Sequence, residues 1–544
     1  MENQRVFVWI ALGLVAWLTW QAWMNDYHRP PPPPAGVQEQ PVPATEDAEL
    51  PGLPGGGETA GRDAEARAAA GQRITVRTDV LNLQLSTEGA DLVSAVLRNY
   101  PVRKDQPDVL VQLLDDRASD YFVFRSGLRS AGGGAEPTHQ ALYETKQAEY
   151  VLSDGEDVLE VPLVWASGDG LTVTKTYRFE RGSYEIAVLY RVQNQRQSEW
   201  RAASYVQLRR RHVPLDRSFV DVDTYSYRGP VIYDGEKYEK LDVEDLQETP
   251  LERKVLGGWI ASIQHHFLAA GVPPTDRPSI ITAGTRDGVY TLTAVGDVIT
   301  VPAGGEGIFE EILFVGPKLQ EQLKSTAPGL RLTVDYGFLT IISQPLFWVL
   351  QKLHNLTGNW GWAIILLTVL IKLVFYKLSE TSGKSMAKMR KLQPRMKALQ
   401  ERYQDDRQAL SQAMMEMYKR EKVNPASGCL PILVQMPVFL ALYWVLLESV
   451  EMRQAPFMLW INDLSARDPY FVLPLMMGVT MFIQQRLNPA PPDPVQAKVM
   501  MALPVVFTVF FAFFPAGLVL YWFVNNLLSI AQQWRINKVV ERGA

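Results

Sequence analysis

One lysine carries much of the chemical information in this chain. Lys372 lies inside the apolar run Ala363 to Tyr376, within a stretch long enough to cross a bilayer. A cation there costs about 2.5–3.5 kcal/mol on insertion scales. It must face a wet cavity, meet an acid, or snorkel its ammonium to the inner interface. The other apolar runs of the back half contain no acidic residue, which argues against pairing inside the membrane. Polar residues recur within or at the ends of those runs: Thr368 one turn earlier, then Gln435, Thr480, Gln484, Gln485, Thr508, Asn525, Asn526 and Ser529. Singly, each suits a helix–helix hydrogen bond. Together, mostly toward the cytoplasmic ends, they predict a half-channel open inward. Paired carboxylates and a proton relay are missing from the sequence pattern, which disfavours an ion-coupled transporter.

Three other patterns fail as chemistry. Gly383-Lys384-Ser385 resembles the end of a phosphate-binding loop, but Leu378 stands where the first glycine belongs. Ser385-Met386-Ala387-Lys388 has the serine–lysine spacing of an acyl-enzyme site without its partner motifs. His265-His266 would point opposite ways on a strand and has no ligand cluster nearby. Cys429 is the single cysteine, which excludes a disulfide framework. The expectation is a protein with no catalytic site, cofactor or metal.

The elements that must position Lys372 follow from an uneven sequence. Residues 339 onward carry 21 Lys and Arg against 12 Asp and Glu, and residues 1–338 carry 33 against 47. An acidic front and a basic, apolar back exclude a simple soluble enzyme and make specific nucleic-acid binding a poor reading. Val6 to Met24 is apolar, follows Arg5, and reads as an N-terminal transmembrane anchor (1–24) with its start in the cytoplasm. A cleaved signal peptide is the rival reading. Residues 25–72 form a Pro/Gly-rich linker. Alternating runs such as Leu171 to Thr174 predict a large all-β sandwich over 73–330, closed by a helix from Lys318 to Ser325.

The back half is expected to be an α-helical polytopic membrane domain, with six spans in all and a five-span core. An amphipathic helix at 338–355 suits the outer interface. The second span is 359–378, a helical hairpin occupies 379–424, spans three to six occupy 425–536, and 537–544 is a short tail. The hairpin carries eleven cations against six acids, whereas 448–470 has two cations and four acids. The positive-inside rule therefore puts the hairpin and both termini in the cytoplasm and the β domain outside. Met389, Leu392, Met396, Leu399 and Tyr403 face Leu410, Met414 and Met417 as a methionine-rich seam, either simple packing or an adaptable surface for apolar clients.

Several runs carry a family resemblance: Val334-Asp335-Tyr336-Gly337, Ser385 to Leu392, Lys422 to Pro425, Gly428-Cys429, Gln435-Met436-Pro437, Arg453 to Phe457 and Gly517 to Trp522. The chain resembles the YidC family of membrane protein insertases, relatives of the Oxa-type and Alb-type proteins, in the long Gram-negative form with a large periplasmic domain. The resemblance implies five core spans around a hydrophilic groove open to cytoplasm and lipid. It places the groove cation at Lys372, where the familiar residue is arginine, and groove positions at Thr368, Gln435, Tyr521 and Trp522. It places an apolar slide at Met436, Phe439 and Phe510. Implied partners are nascent membrane proteins, the Sec translocon, membrane lipids, and the ribosome or signal recognition particle pathway through the hairpin. Ser427 stands where the family loop usually has glycine. The sequence stops at Ala544 without the basic tail of many members, which leaves the hairpin as the expected ribosome contact. A transporter or channel using the same polar residues is the alternative, and a tethered carbohydrate-active domain a third.

Overall fold

The computed structural model describes residues 50–53, 71–214, 226–403, 406–421, 430–487 and 494–542. The anchor at 1–24 and most of the linker lie outside the described residues.

Strands fill the front half because apolar and polar residues alternate there. In Leu171–Glu180 the residues Leu171, Val173, Lys175, Tyr177 and Phe179 point inward and are buried, while their neighbours are partly exposed. The described strands form one sheet of eleven and one of eight. In the larger, Trp200–Arg211 pairs antiparallel with Phe122–Ser130 and with Val289–Val295. In the smaller, Glu306–Pro317 lies between Phe267–Val272 and Glu185–Asn194. The sheets face each other closely where Gly271 meets Val206, and a Cβ on Gly271 would sit 2.8 Å from the valine methyl. This is the expected sandwich.

The sandwich core encloses a charge cluster. Lys175 is fully buried and donates to the carbonyls of Gly89 and Ser126, each at 3.0 Å. The rings of Tyr143, Tyr177 and Tyr190 surround its ammonium at 5.4–5.9 Å. Burial pushes the carboxyl of Asp91 up to about 7 and that of Glu311 up to about 8, with the Lys175 charge pulling both back. Burial also draws Lys175 down to about 8.

Among the described residues two short α-helices decorate this domain: α1 (Val243–Glu248), capped by the Asp242 side chain, and α2 (Gln320–Thr326), the closing helix. The helical half follows. Its elements are α3 (Thr340–Thr357), α4 (Trp360–Val374), α5 (Tyr376–Arg402), α6 (Arg407–Arg420), α7 (Leu430–Glu448), α8 (Val472–Leu487), α9 (Pro494–Phe511) and α10 (Ala516–Arg542). Among the described residues no single helix is long and apolar enough to cross a membrane, but α4 and α5 pass together, bent by 67°.

That bend corrects one expectation. The helix expected to run from 359 to 378 stops at Val374, and residues 376–378 already belong to α5. Phe375 leaves helical geometry, and its N–H is shared between the carbonyls of Ile371 and Leu373. The sequence beyond it carries Lys377, Lys384 and Lys388, so the chain turns where the apolar residues end. The α5–α6 hairpin buries Leu392 and Met396, and the Tyr418 hydroxyl lies 3.7 Å from the Met396 sulfur. At least part of the methionine seam is therefore internal packing.

The two halves are joined through the segment after α7. Lys104 donates to the Gln454 carbonyl at 2.9 Å, and Arg453 donates to the Pro101 carbonyl at 2.8 Å. The Ser226 hydroxyl donates to Glu448 at 2.6 Å. His265 and His266 both place Nε2 on the Leu447 carbonyl, at 2.9 and 3.1 Å. Their rings stack at 3.8 Å because they sit in the turn between Trp259–Ile263 and Phe267–Val272, not on a strand with opposed faces.

Candidate functional site: a polar cluster inside the helical bundle

The site is built on α4, whose start is fixed from two sides. Asn359 caps it by accepting from the Trp362 N–H at 3.2 Å, and its amide donates to the carbonyls of Pro456 and Phe457. Gly361 lets the Phe457 ring approach so closely that a Cβ there would lie 2.0 Å from it. The N-terminal end of α4 is thus tied to the 448–470 segment. The start of α10 is tied to the same segment, since Ala516 and Gly517 donate to the carbonyls of Ala466 and Leu464. The ends of α7 and α9 and the starts of α4, α8 and α10 therefore gather near the β domain, and the helices alternate in direction.

This scaffold aligns polar residues from three helices. The Lys372 ammonium donates to the Ser529 hydroxyl at 2.8 Å, and Ser529 in turn donates to the Asn525 carbonyl at 2.7 Å. The Gln435 amide donates to the Asn525 side chain at 2.8 Å. A void of about 10 Å³ lies between Lys372, Phe375, Leu378, Ser379 and Gln435. It approaches the size of one water molecule. Among the described residues no carboxylate lies within salt-bridge distance of Lys372. Beside this cluster, Asn526 donates to Thr480 at 3.4 Å, and Thr480 donates to the Met477 carbonyl.

Thr368 is placed differently. It is 1% exposed and donates to the Ile364 carbonyl at 2.7 Å, so it does not line the void. Its hydroxyl satisfies its own helix instead.

The aromatic residues form a second layer. Phe439 stacks on Tyr521 with centroids 6.3 Å apart and meets Trp522 edge-on at 5.0 Å. Phe511 touches Trp522 at 5.7 Å and Phe510 at 5.5 Å. Tyr521 is buried, whereas Met436 and Phe510 are 42% and 53% exposed. The Trp522 indole N–H is buried with no acceptor among the described residues. The structure thus joins Lys372 and Gln435 through Ser529 and Asn525, and joins Phe439, Tyr521, Trp522 and Phe510 through Phe511. Ser529 and Asn525 are the members that sequence reading left unranked; their shared depth with Lys372 was the available signal.

A β-sandwich joined to a bundle of apolar helices, with Lys372 among them and no carboxylate near it among the described residues, fits a membrane protein with a large extramembrane domain. A family described as the YidC periplasmic domain matches residues 73–349, and one described as the 60Kd inner membrane protein matches residues 352–542. The membrane protein insertase YidC of Thioalkalivibrio sulfidiphilus is 50% identical, covering 100% of this chain and 99% of that protein. That of Methylococcus capsulatus is 48% identical, with 100% and 99% covered. This chain belongs to the YidC family of membrane protein insertases. The relatives give no support to the transporter or channel alternative.

Among solved structures, an active YidC insertase with its first transmembrane domain resolved aligns over 85% of this chain and 94% of its own, with 22% identity and TM-score 0.38. A galactose mutarotase related enzyme from Lactobacillus acidophilus aligns over 45% of this chain and 97% of its own, with 9% identity and TM-score 0.31.

Proposed function

We propose that this protein inserts membrane proteins by giving a polar client segment a charged, hydrated station partway across the bilayer. The observation that carries the reading is Lys372, partly buried among helices and held by a neutral hydroxyl instead of a carboxylate. A cation so placed attracts an acidic segment strongly, because the surrounding dielectric is low. Gln435, Asn525 and Ser529 supply hydrogen-bonding groups that the segment exchanges for water. The apolar faces carrying Met436 and Phe510 are exposed and give the client's apolar span a path to lipid. Burial of that span in hydrocarbon drives the reaction without a nucleotide. The void beside Lys372 is small, so the α4–α5 bend is where we place its widening.

In this reading α4, α7, α8, α9 and α10 are the five core spans, with the anchor at 1–24 as the first of six. Both termini and the α5–α6 hairpin are cytoplasmic, and the β domain is periplasmic. The contacts of Lys104 and Ser226 with the 448–470 side of the bundle support this sidedness. The domain division given by the sequence is kept, with the hairpin starting at 376. The Sec translocon and the ribosome or signal recognition particle pathway are the proposed partners, the latter through the basic hairpin.

The test is insertion into liposomes containing only this protein. The client is a single-span protein with an acidic outer tail, scored by protease protection. Protection above that in empty liposomes is expected. Protection no better than in empty liposomes overturns autonomous insertion.

A further inference from the structure

A cleft of about 320 Å³ opens at the edge of the sandwich, away from the Lys372 cluster. Its lining is rich in cations: Arg117, Arg210, Arg211 and Arg228, with His212 beside them. Two acids, Asp115 and Asp120, also line it, and Arg117 is paired with Asp115, its Nε donating at 2.7 Å. Arg210 and Arg211 are held by neutral groups. Arg210 donates to the Ser262 hydroxyl at 2.9 Å, and its guanidinium lies 4.5 Å from the centre of the Phe122 ring. Ser262 is itself fixed by the Tyr290 hydroxyl at 2.6 Å. Arg211 donates through Nε to the Ala118 carbonyl at 2.7 Å, which leaves its terminal amino groups for another acceptor. Among the described residues neither Arg210 nor Arg211 has a carboxylate within salt-bridge distance. Planar guanidinium groups held in this way suit a phosphate, which they bind with paired hydrogen bonds.

The position of the cleft narrows the source of that phosphate. Gln264, in its wall, directly precedes His265 and His266, which touch the Leu447 carbonyl. Arg228 is two residues from Ser226, which touches Glu448, so at most about 7 Å of chain separates them. Leu447 and Glu448 end α7, where that span meets the outer membrane surface. The cleft therefore opens near the headgroup layer, and its volume falls near the lower end of the range for small-ligand pockets.

We infer that this cleft binds the phosphate of an anionic phospholipid headgroup in the outer leaflet and so pins the β domain to the membrane surface. This inference rests on the outward placement of the β domain, not on the groove chemistry.

The test uses the full chain purified in neutral detergent and examined by native mass spectrometry during titration with phosphatidylglycerol, phosphatidylcholine or inorganic phosphate. The wild type is expected to retain at least one more phosphatidylglycerol than the double variant Arg211→Gln, Arg228→Gln, with no such difference for phosphatidylcholine. The double variant Arg211→Lys, Arg228→Lys keeps the charge and is expected to retain that lipid more weakly. Equal retention by wild type and the glutamine variant overturns the site. Loss of the extra lipid on adding inorganic phosphate at equal concentration overturns the lipid assignment in favour of a free anion. Liposome insertion and the unfolding midpoint of the glutamine variant are expected to match wild type, which separates failure of this site from failure of insertion or folding.

Discussion

Lys175 in the sandwich and Lys372 in the helical bundle, both set among apolar residues, are treated in opposite ways. Lys175 in the sandwich has two backbone carbonyls, three tyrosine rings and the charges of Asp91 and Glu311 around it. Groups of the fold surround its charge on every side, although burial still outweighs them and draws it down to about 8. Lys372 in the helical bundle has one serine hydroxyl and a water-sized void. Its charge is answered only in part, so it remains available to a visitor. A buried cation with complete partners serves structure, and one with incomplete partners serves binding.

The comparison breaks most visibly at Lys175. Lys175→Met removes the cation and leaves Asp91 and Glu311 buried without it. The carbonyls of Gly89 and Ser126 also lose their donor, and a buried polar group left without its partner costs about 1–3 kcal/mol. Denaturant unfolding of the full chain, followed by near-ultraviolet dichroism of the clustered tyrosines, is expected to show a loss of that size. A midpoint unchanged from wild type would mean that the cluster contributes little to stability.

Lys372 should give the reverse pattern. Lys372→Ala is expected to leave the unfolding midpoint near wild type and to reduce insertion of an acidic-tailed client about tenfold, a difference near 1.4 kcal/mol. A neutral-tailed client should be affected much less, and Lys372→Arg should retain most activity. An equal loss for both clients would make Lys372 a packing residue.

Much of this contrast is readable in the sequence, but unevenly. Lys372 stands out because no apolar run tolerates a lysine by chance. Lys175 was equally readable in principle. The alternation that puts Leu171, Val173, Tyr177 and Phe179 inside puts Lys175 inside too, yet a lysine in a strand blends with the exposed phase. The partnership of Lys372 with Ser529 was not readable, because the residues are 157 apart and their register depends on how α4 packs on α10. The break at Phe375 was hidden for a different reason. The change from apolar to charged residues is gradual there, with Tyr376 and Leu378 just past the break, and only the N–H shared between two carbonyls fixes the turn at that residue. The stacking of His265 on His266 depends on a hairpin turn whose exact position alternation does not fix.

A smaller effect separates the two halves by pH. Burial raises Glu311 from 4.5 to about 8. The folded state therefore holds that proton more tightly than the unfolded chain. The stability this contributes is fully present below pH 4.5 and is lost as pH rises through about 8. Glu311→Gln removes the titration, so the variant should gain on wild type steadily across that window. Insertion by a folded variant should follow wild type at every pH. A constant offset between the two unfolding curves would show that Glu311 does not titrate on folding.

The smallest expected effect sharpens the contrast inside the bundle itself. Ser529→Ala removes the hydroxyl that holds the Lys372 ammonium but leaves the cation in place. A hydrogen bond to a neutral partner contributes about 0.5–1.5 kcal/mol net. The ammonium can turn toward the void and take a water there, which recovers part of that loss. Insertion of the acidic-tailed client should therefore fall by no more than about threefold, well short of the Lys372→Ala loss. A fall as large as that of Lys372→Ala would mean that the hydroxyl positions the cation, and that charge placed without direction is not enough to receive a client.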